Sequence, residues 1–279
     1  METSVMQHLI CKLGETVSVI DEKKQIMLVG SPLTSIGQVR HNNEDNVQLW
    51  VLGEMMLGLV ADGMGGAAGG EEASRLAVET VQTDFVDSMP DDLNHEVEEQ
   101  ISQKLRDVLN RANQVVLDRA AEHYELTGMG TTATMVLVHA TEAIFAHIGD
   151  SRAYVVEGTT QQITQITEDH SFVEALLASG HITPEQAEIH PLRNVLYRAL
   201  GQKDEADTDV EIYTRELKVG DRLILCSDGL PRHIKNHEIA SIAISSDQPE
   251  VIGQQLIDLA NERGGEDNIS VVVIVVKQK

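Results

Sequence analysis

Met55-Met56-Leu57-Gly58-Leu59-Val60-Ala61-Asp62-Gly63-Met64-Gly65-Gly66 is the segment on which the reading of this chain turns. Met55 to Ala61 is a short apolar run, the length of a buried strand. It stops at Asp62 and a cluster of glycines, a turn that only glycines make so tightly. A strand therefore delivers a carboxylate to its own end, and the rest of the chain can be read for others that do the same.

On the N-terminal side lie a strand-like stretch (Thr34 to Val39), a polar loop (Arg40 to Asn46) and a strand (Val47 to Val51). Residues 1 to about 30 carry no motif, and Gly30-Ser31-Pro32 marks the expected boundary between an N-terminal extension of unassigned role and a single domain over 31–279. On the C-terminal side, apolar residues at Ala73, Leu76, Ala77, Val81 and Phe85 predict a helix from Glu71 to about Val86. A second amphipathic pattern, Val97, Ile101, Leu105, Val108, Ala112, Val115 and Val116, predicts one from Leu93 to about Ala121.

Strands follow at Thr132 to His139, Ala143 to Ile148, Ala153 to Val156 and Gln162 to Ile166, with Glu157-Gly158 as a hairpin turn. A polar, proline-marked insertion with two short helices occupies about 168–201. Strands resume at Val210 to Arg215 and Arg222 to Cys226, and helices near His237 to Ala243 and Glu250 to Asn261 precede a last strand, Ile269 to Val276. Strands and long helices are segregated rather than alternating. That favours an α+β fold with an antiparallel β core and helices outside over a doubly wound sheet.

Composition narrows the function. With 21 Lys+Arg against 45 Asp+Glu, a net charge of -24 argues against nucleic acid, whose phosphates need a basic face. No apolar run approaches the ~18 residues of a membrane span. The start lacks the basic, apolar and small-residue order of a secretion signal, and two isolated cysteines suit a reducing cytoplasm. Asn268-Ile269-Ser270 matches a glycosylation sequon, but it opens a strongly apolar strand.

Four aspartates share one context. Asp62 closes the strand from Met55, Asp228 the strand from Arg222, Asp150 separates two strands after Gly149, and Asp267 follows Gly264-Gly265 and precedes the last strand. Any one of them is most simply an Asx turn. Four together, with Glu44-Asp45 in the polar loop, point instead to one rim where carboxylates repel unless cations lie between them. Hard oxygen donors suit Mg²⁺ or Mn²⁺, and no HExxH or Cys/His cluster calls for zinc. Two such ions can bridge and activate a water for attack on phosphorus. Arg40 is a candidate phosphate clamp, although on local sequence a surface arginine fits equally. The glycines from Asp62 to Gly70 are not a nucleotide loop, since neither Gly-Lys-Ser/Thr nor GxGxxG is present there.

Taken in order, Arg40-x-x-Asn43-Glu44-Asp45, Asp62-Gly63-Met64-Gly65-Gly66, Gly130-Thr131-Thr132, Gly149-Asp150-Ser151-Arg152, Ser227-Asp228-Gly229 and Asp267-Asn268 resemble the metal-dependent protein phosphatases (the PPM or PP2C family) from about Ile36 to Val276. The insertion, from Thr167-Glu168-Asp169-His170-Ser171 to Ala199-Leu200-Gly201, resembles the flap of bacterial members. The resemblance implies a central antiparallel β-sandwich flanked by helix pairs. It implies a cytoplasmic serine/threonine phosphatase that uses two core Mn²⁺ or Mg²⁺ ions and a weaker third. Phosphorylated proteins would be its substrates, and it would reverse a bacterial Ser/Thr kinase. It implies that Asp62, the Gly63 carbonyl, Asp228 and Asp267 hold the paired ions, with Glu44 and Asp45 acting partly through waters. Asp150 and Asp228 would hold the third ion, assisted by Asp169, and Arg40 would bind phosphate.

Two departures stand out. Met64 occupies the place of a histidine proposed as general acid in animal relatives, as it does in bacterial ones, and Pro231-Arg232 is unlike the usual small or acidic residues. Two other readings fit less well: an inactive binding module would show lost aspartates, and a phosphatase for an anti-sigma antagonist would show sensory or membrane domains.

Overall fold

The computed structural model describes residues 9–89, 98–202 and 208–279. Thirteen strands are present among them: β1 (Leu9–Ile10), β2 (Val17–Asp21), β3 (Ile26–Ser35), β4 (Asp45–Leu52), β5 (Met55–Met64), β6 (Gly130–Thr131), β7 (Ala133–His139), β8 (Glu142–Ile148), β9 (Arg152–Val156), β10 (Ile163–Gln165), β11 (Glu211–Glu216), β12 (Arg222–Cys226) and β13 (Ile269–Gln278). The helices are α1 (Ala67–Val81), α2 (Glu98–Glu122), α3 (Phe172–Ala178), α4 (Pro184–Glu188), α5 (Asn236–Ala243) and α6 (Pro249–Glu262). One sheet runs β1-β4-β5-β7-β8-β11, with β6 beside β5, and the other β10-β9-β12-β13-β3-β2. All pairings are antiparallel, and the two sheets form a sandwich.

The period of two along each strand builds the layers. In β13, Val272, Ile274 and Val276 face Leu49, Met56 and Phe145 between the sheets. Its alternate residues Val271, Val273 and Val275 meet Ile239, Ile252 and Leu256 of α5 and α6. In β5, Met56 and Val60 point into the sandwich, while Leu57 and Leu59 meet Ala77, Leu105 and Leu109 of α1 and α2. Strands buried on both faces explain why β5 and β13 read as continuous apolar runs. Each such side chain, fully buried, contributes roughly 1.5–3 kcal/mol.

Three differences from the sequence reading bear on the site. First, the boundary expected at Gly30-Ser31-Pro32 falls inside β3, which pairs with β13 from Ile26 to Ser35. Residues 17–21 pair with β3, and Leu9–Ile10 with β4, so 9–30 contribute strands to both sheets. Pro32 is tolerated because β2 pairs only as far as Gly30, beyond which no ladder bond is lost. Second, β5 does not stop at Ala61: β6 pairs with Gly63 and Met64 and extends it through Asp62. The tight turn falls at Gly65 and Gly66, at φ 115° and 82°, where an L side chain is strained. Third, α1 starts at Ala67, so Gly69 and Gly70 belong to its first turn rather than to a loop, and residues 36–44 form a loop where a strand to Val39 was expected. The expected start of the second helix at 93–97 lies outside the described residues.

Candidate metal centre

Register gathers the aspartates. Asp45 and Asp62 are direct cross-strand partners in β4 and β5. Cys226, the last residue of β12, pairs with Arg152 on one side and Val271 on the other. Asp150, Asp228 and Asp267 therefore lie at the same rim, just beyond the paired ends of β9, β12 and β13. Asp62, Asp150, Asp228 and Asp267 line a cleft of about 510 Å³ with Arg40, Glu44 and Arg232. Asp45 is buried behind them.

The backbone at this rim is closely held. A Cβ on Gly63 would sit 2.1 Å from the Gly70 carbonyl oxygen and 2.6 Å from that of Glu44, so only glycine lets β5 pass between the loop and α1. Thr132 Oγ1 accepts from the Asp62 N–H at 2.9 Å, and Thr131 Oγ1 donates to the Asp62 carbonyl at 2.9 Å. Ser227 Oγ donates to Asp45 Oδ2 at 2.7 Å and accepts from the Ser270 N–H at 3.0 Å. Asn268 ties down the polar loop: its amide donates to the Ile36 and Asn42 carbonyls at 2.9 and 3.0 Å, and its Oδ1 accepts from the Glu44 N–H at 2.8 Å.

Charge at the rim is one-sided. Burial, then the Asp45, Asp228, Asp150 and Asp267 charges, push the Asp62 carboxyl well above the ordinary carboxylate range. Burial raises Asp45 to about 7, against the opposing hydrogen bonds of Ser270 and Ser227. Asp150 is raised by burial and then by Asp228 and Asp169. Asp228 is raised by burial even though Arg232 opposes it. Four carboxyls that resist ionisation together are the electrostatic signature of a site completed by cations. The carboxylates of the aspartates and Glu44 converge here as oxygen donors, the set that hard divalent ions select, so the residues present fit Mn²⁺ or Mg²⁺.

Two arginines contact these carboxylates. Arg40 is half exposed and its Nη2 donates to Asp267 Oδ2 at 2.9 Å. Arg232 pairs with Asp228, stands 3.5 Å from Asp267 Oδ2, and donates to Asn194 Oδ1 of the insertion at 3.2 Å. Sequence reading noted Arg232 only as an unusual loop residue. The available signal was its spacing of four from Asp228, which a helical turn brings onto one side. Asn268 likewise shows no role on sequence alone.

Glu44 lines the cleft, its carboxyl raised by burial against the lowering effect of Arg40. Asp169 differs from the other expected ligands. Its charge reaches Asp150, but Arg152 grips both its oxygens at 2.7 to 3.0 Å, and it does not line the cleft. That pair closes the base of the insertion together with His170, whose N–H donates to the Gly149 carbonyl at 2.7 Å, next to Asp150.

A family model described as protein phosphatase 2C matches residues 35–254. The chain is 39% identical over 251 residues to protein phosphatase PhpP of Streptococcus pneumoniae, covering 89% of this chain and 98% of that one. The serine/threonine phosphatase of S. agalactiae superposes with a TM-score of 0.80 at 31% identity, over 89% of this chain and 99% of the other. The catalytic domain of the serine/threonine protein phosphatase PstP, solved in complex with two manganese ions, superposes with a TM-score of 0.76 at 34% identity, over 90% and 99% of the two chains.

Proposed function

Because the chain belongs to the protein phosphatase 2C family, we propose that its acidic rim hydrolyses phosphoserine and phosphothreonine with a pair of divalent ions. The chain is a protein-serine/threonine phosphatase of the bacterial type. The observation that carries the two-ion reading is the convergence of Asp62, Asp150, Asp228 and Asp267 on one cleft, with burial raising Asp62, Asp150 and Asp228. PstP, bound to two manganese ions, supports the same ion class here.

Asp62, the Gly63 carbonyl, Asp228 and Asp267 would hold the pair, and Asp150 with Asp228 a weaker third ion. Glu44 in the cleft and Asp45 buried behind it would act partly through waters, and the grip of Arg152 leaves Asp169 a positioning role for the insertion. Ions held there supply positive charge to the phosphoryl oxygens and lower the pKa of a nucleophilic water. The chain's own residues do the rest. Arg40, exposed at the mouth, offers its planar fork to two phosphate oxygens. Asn268 fixes the loop that carries Arg40 and Glu44. Water oxygen adds to phosphorus, the P–O bond to the Ser or Thr oxygen breaks, and that oxygen takes a proton. Met64 lines the cleft, and a thioether has no proton to give, so the proton comes from another source.

The substrates are phosphoproteins made by a Ser/Thr kinase, which this reaction reverses. No helix among the described residues is long and apolar enough to cross a membrane. Cys11 and Cys226 are free and buried, which fits the cytoplasm. Hydrolysis of a phosphothreonine peptide by wild type and Asp228→Asn, with Mn²⁺ and with chelator, tests the reading. Turnover should require both the ion and Asp228, and turnover that survives exhaustive chelation would overturn it.

A further inference from the structure

Glu54 precedes β5 at the end opposite Asp62, eight residues away, or roughly 27 Å at the rise of an extended strand. There the turn between β4 and β5 brings Glu54 beside Asp21, the last residue of β2, and His139, the last residue of β7. One ligand atom from each lies within 4.8 Å of the others. The three come from both sheets, since β2 edges one and β5 and β7 lie within the other.

One atom in this group lacks what burial demands. Asp21 is only 5% exposed; its Oδ1 accepts the Lys23 and Lys24 N–H groups at 2.9 Å, which leaves Oδ2 turned toward His139. His139 Nε2 is buried with no hydrogen-bond partner. A buried imidazole nitrogen left so costs about 1–3 kcal/mol. The obvious remedy, a hydrogen bond between the two, is not made, because they stand 4.0 Å apart. That gap is too long for a direct bond and wide enough for an ion between them. A small side-chain adjustment closes it to the roughly 3.3 Å that tetrahedral ligand bonds of about 2.0–2.2 Å require.

The group lines a cavity of about 760 Å³, the route for an ion and room for a water in the fourth position. Lys23 and Lys24 line the same cavity, and the Lys24 ammonium lies 3.8 Å from Glu142.

We propose that Asp21, Glu54 and His139 form a second metal site, for a zinc-class transition ion, that fastens the edge strand β2 to the opposite sheet. One imidazole and two carboxylates are a zinc-type set with an open position, whereas the five aspartates at the other rim select harder ions. The site also gives a role to residues 17–21, to which no sequence motif assigned one. It does not depend on the phosphatase reading.

The test is Zn²⁺ titration by calorimetry, with thermal denaturation, of the full chain carrying Asp62→Asn and Asp228→Asn to silence the acidic rim. One Zn²⁺ should bind and raise the melting temperature, and adding His139→Ala should abolish both effects. If His139→Ala does not fold, Glu54→Gln in the turn replaces it, and Co²⁺ absorption should then lose intensity in the visible. Zn²⁺ stoichiometry and melting shift unchanged by both substitutions, or no Zn²⁺ binding at all, would overturn the site.

Discussion

The two ends of β5 both present carboxylates, and they are furnished differently. At the Asp62 end five aspartates crowd together, and hydroxyls and amides from Thr131, Thr132, Ser227 and Asn268 fix the backbone and side chains around them. At the Glu54 end three ligand atoms meet with little support beyond the turn at Lys23 and Lys24. The first arrangement holds charge in place against its own repulsion, as chemistry on a phosphate requires. The second would fasten strands. The difference teaches that the density of positioning hydrogen bonds around carboxylates, more than their number, separates a reactive rim from a static one.

The largest expected effect follows directly. Asp62→Asn should lower turnover on the order of 10³-fold, since it removes several kcal/mol of charge stabilisation. Asp21→Asn at the other end should leave turnover within about twofold while lowering stability by roughly 1 kcal/mol. Steady-state kinetics of the two variants check this, and a comparable loss in Asp21→Asn would erase the distinction between the ends.

A smaller loss, roughly 10–100-fold, is expected for Asp150→Asn, which should still bind two Mn²⁺ by calorimetry. Normal turnover in that variant would remove the third ion from the account. Arg40→Ala should act mainly on the substrate, raising the apparent KM by roughly tenfold with a modest change in kcat. An unchanged KM would mean that phosphate binds elsewhere in the cleft.

The smallest effect is on pH dependence. The fold raises Asp45 from 3.8 to about 7, and Asp62, Asp150 and Asp228 in the same direction, so the ion-free fold keeps protons that the unfolded chain gives up. Stability from these groups is full below the unfolded values and is lost as pH rises toward the folded ones. Mn²⁺ displaces those protons, so its stabilising effect should grow across the same window. Melting curves at about pH 5 and about pH 8, with and without Mn²⁺, should show the larger shift at the higher pH. Equal shifts would mean that the carboxyls are already ionised.

Much of this was legible in the sequence. The apolar runs of β5 and β13 and the aspartates beside glycines gave the rim, because strand ends and tight turns leave local marks. What stayed hidden depends on contacts between distant residues. That β5 continues through Asp62 follows from its pairing with Gly130–Thr131, and that β3 crosses Gly30 and Pro32 follows from its pairing with β13. Asp169 read as a ligand because nothing local shows that Arg152, seventeen positions earlier, takes both its oxygens. Arg232 was visible as an oddity, but its seat between Asp228, Asp267 and Asn194 needs the insertion folded over the rim.

The central claim is that the aspartate rim gathers divalent ions, and anomalous diffraction from crystals grown with Mn²⁺ tests it most directly. Two strong peaks should lie among Asp62, Asp228 and Asp267, with a weaker one beside Asp150. Crystals of protein that is active with Mn²⁺ but shows no anomalous density at that rim would contradict the account.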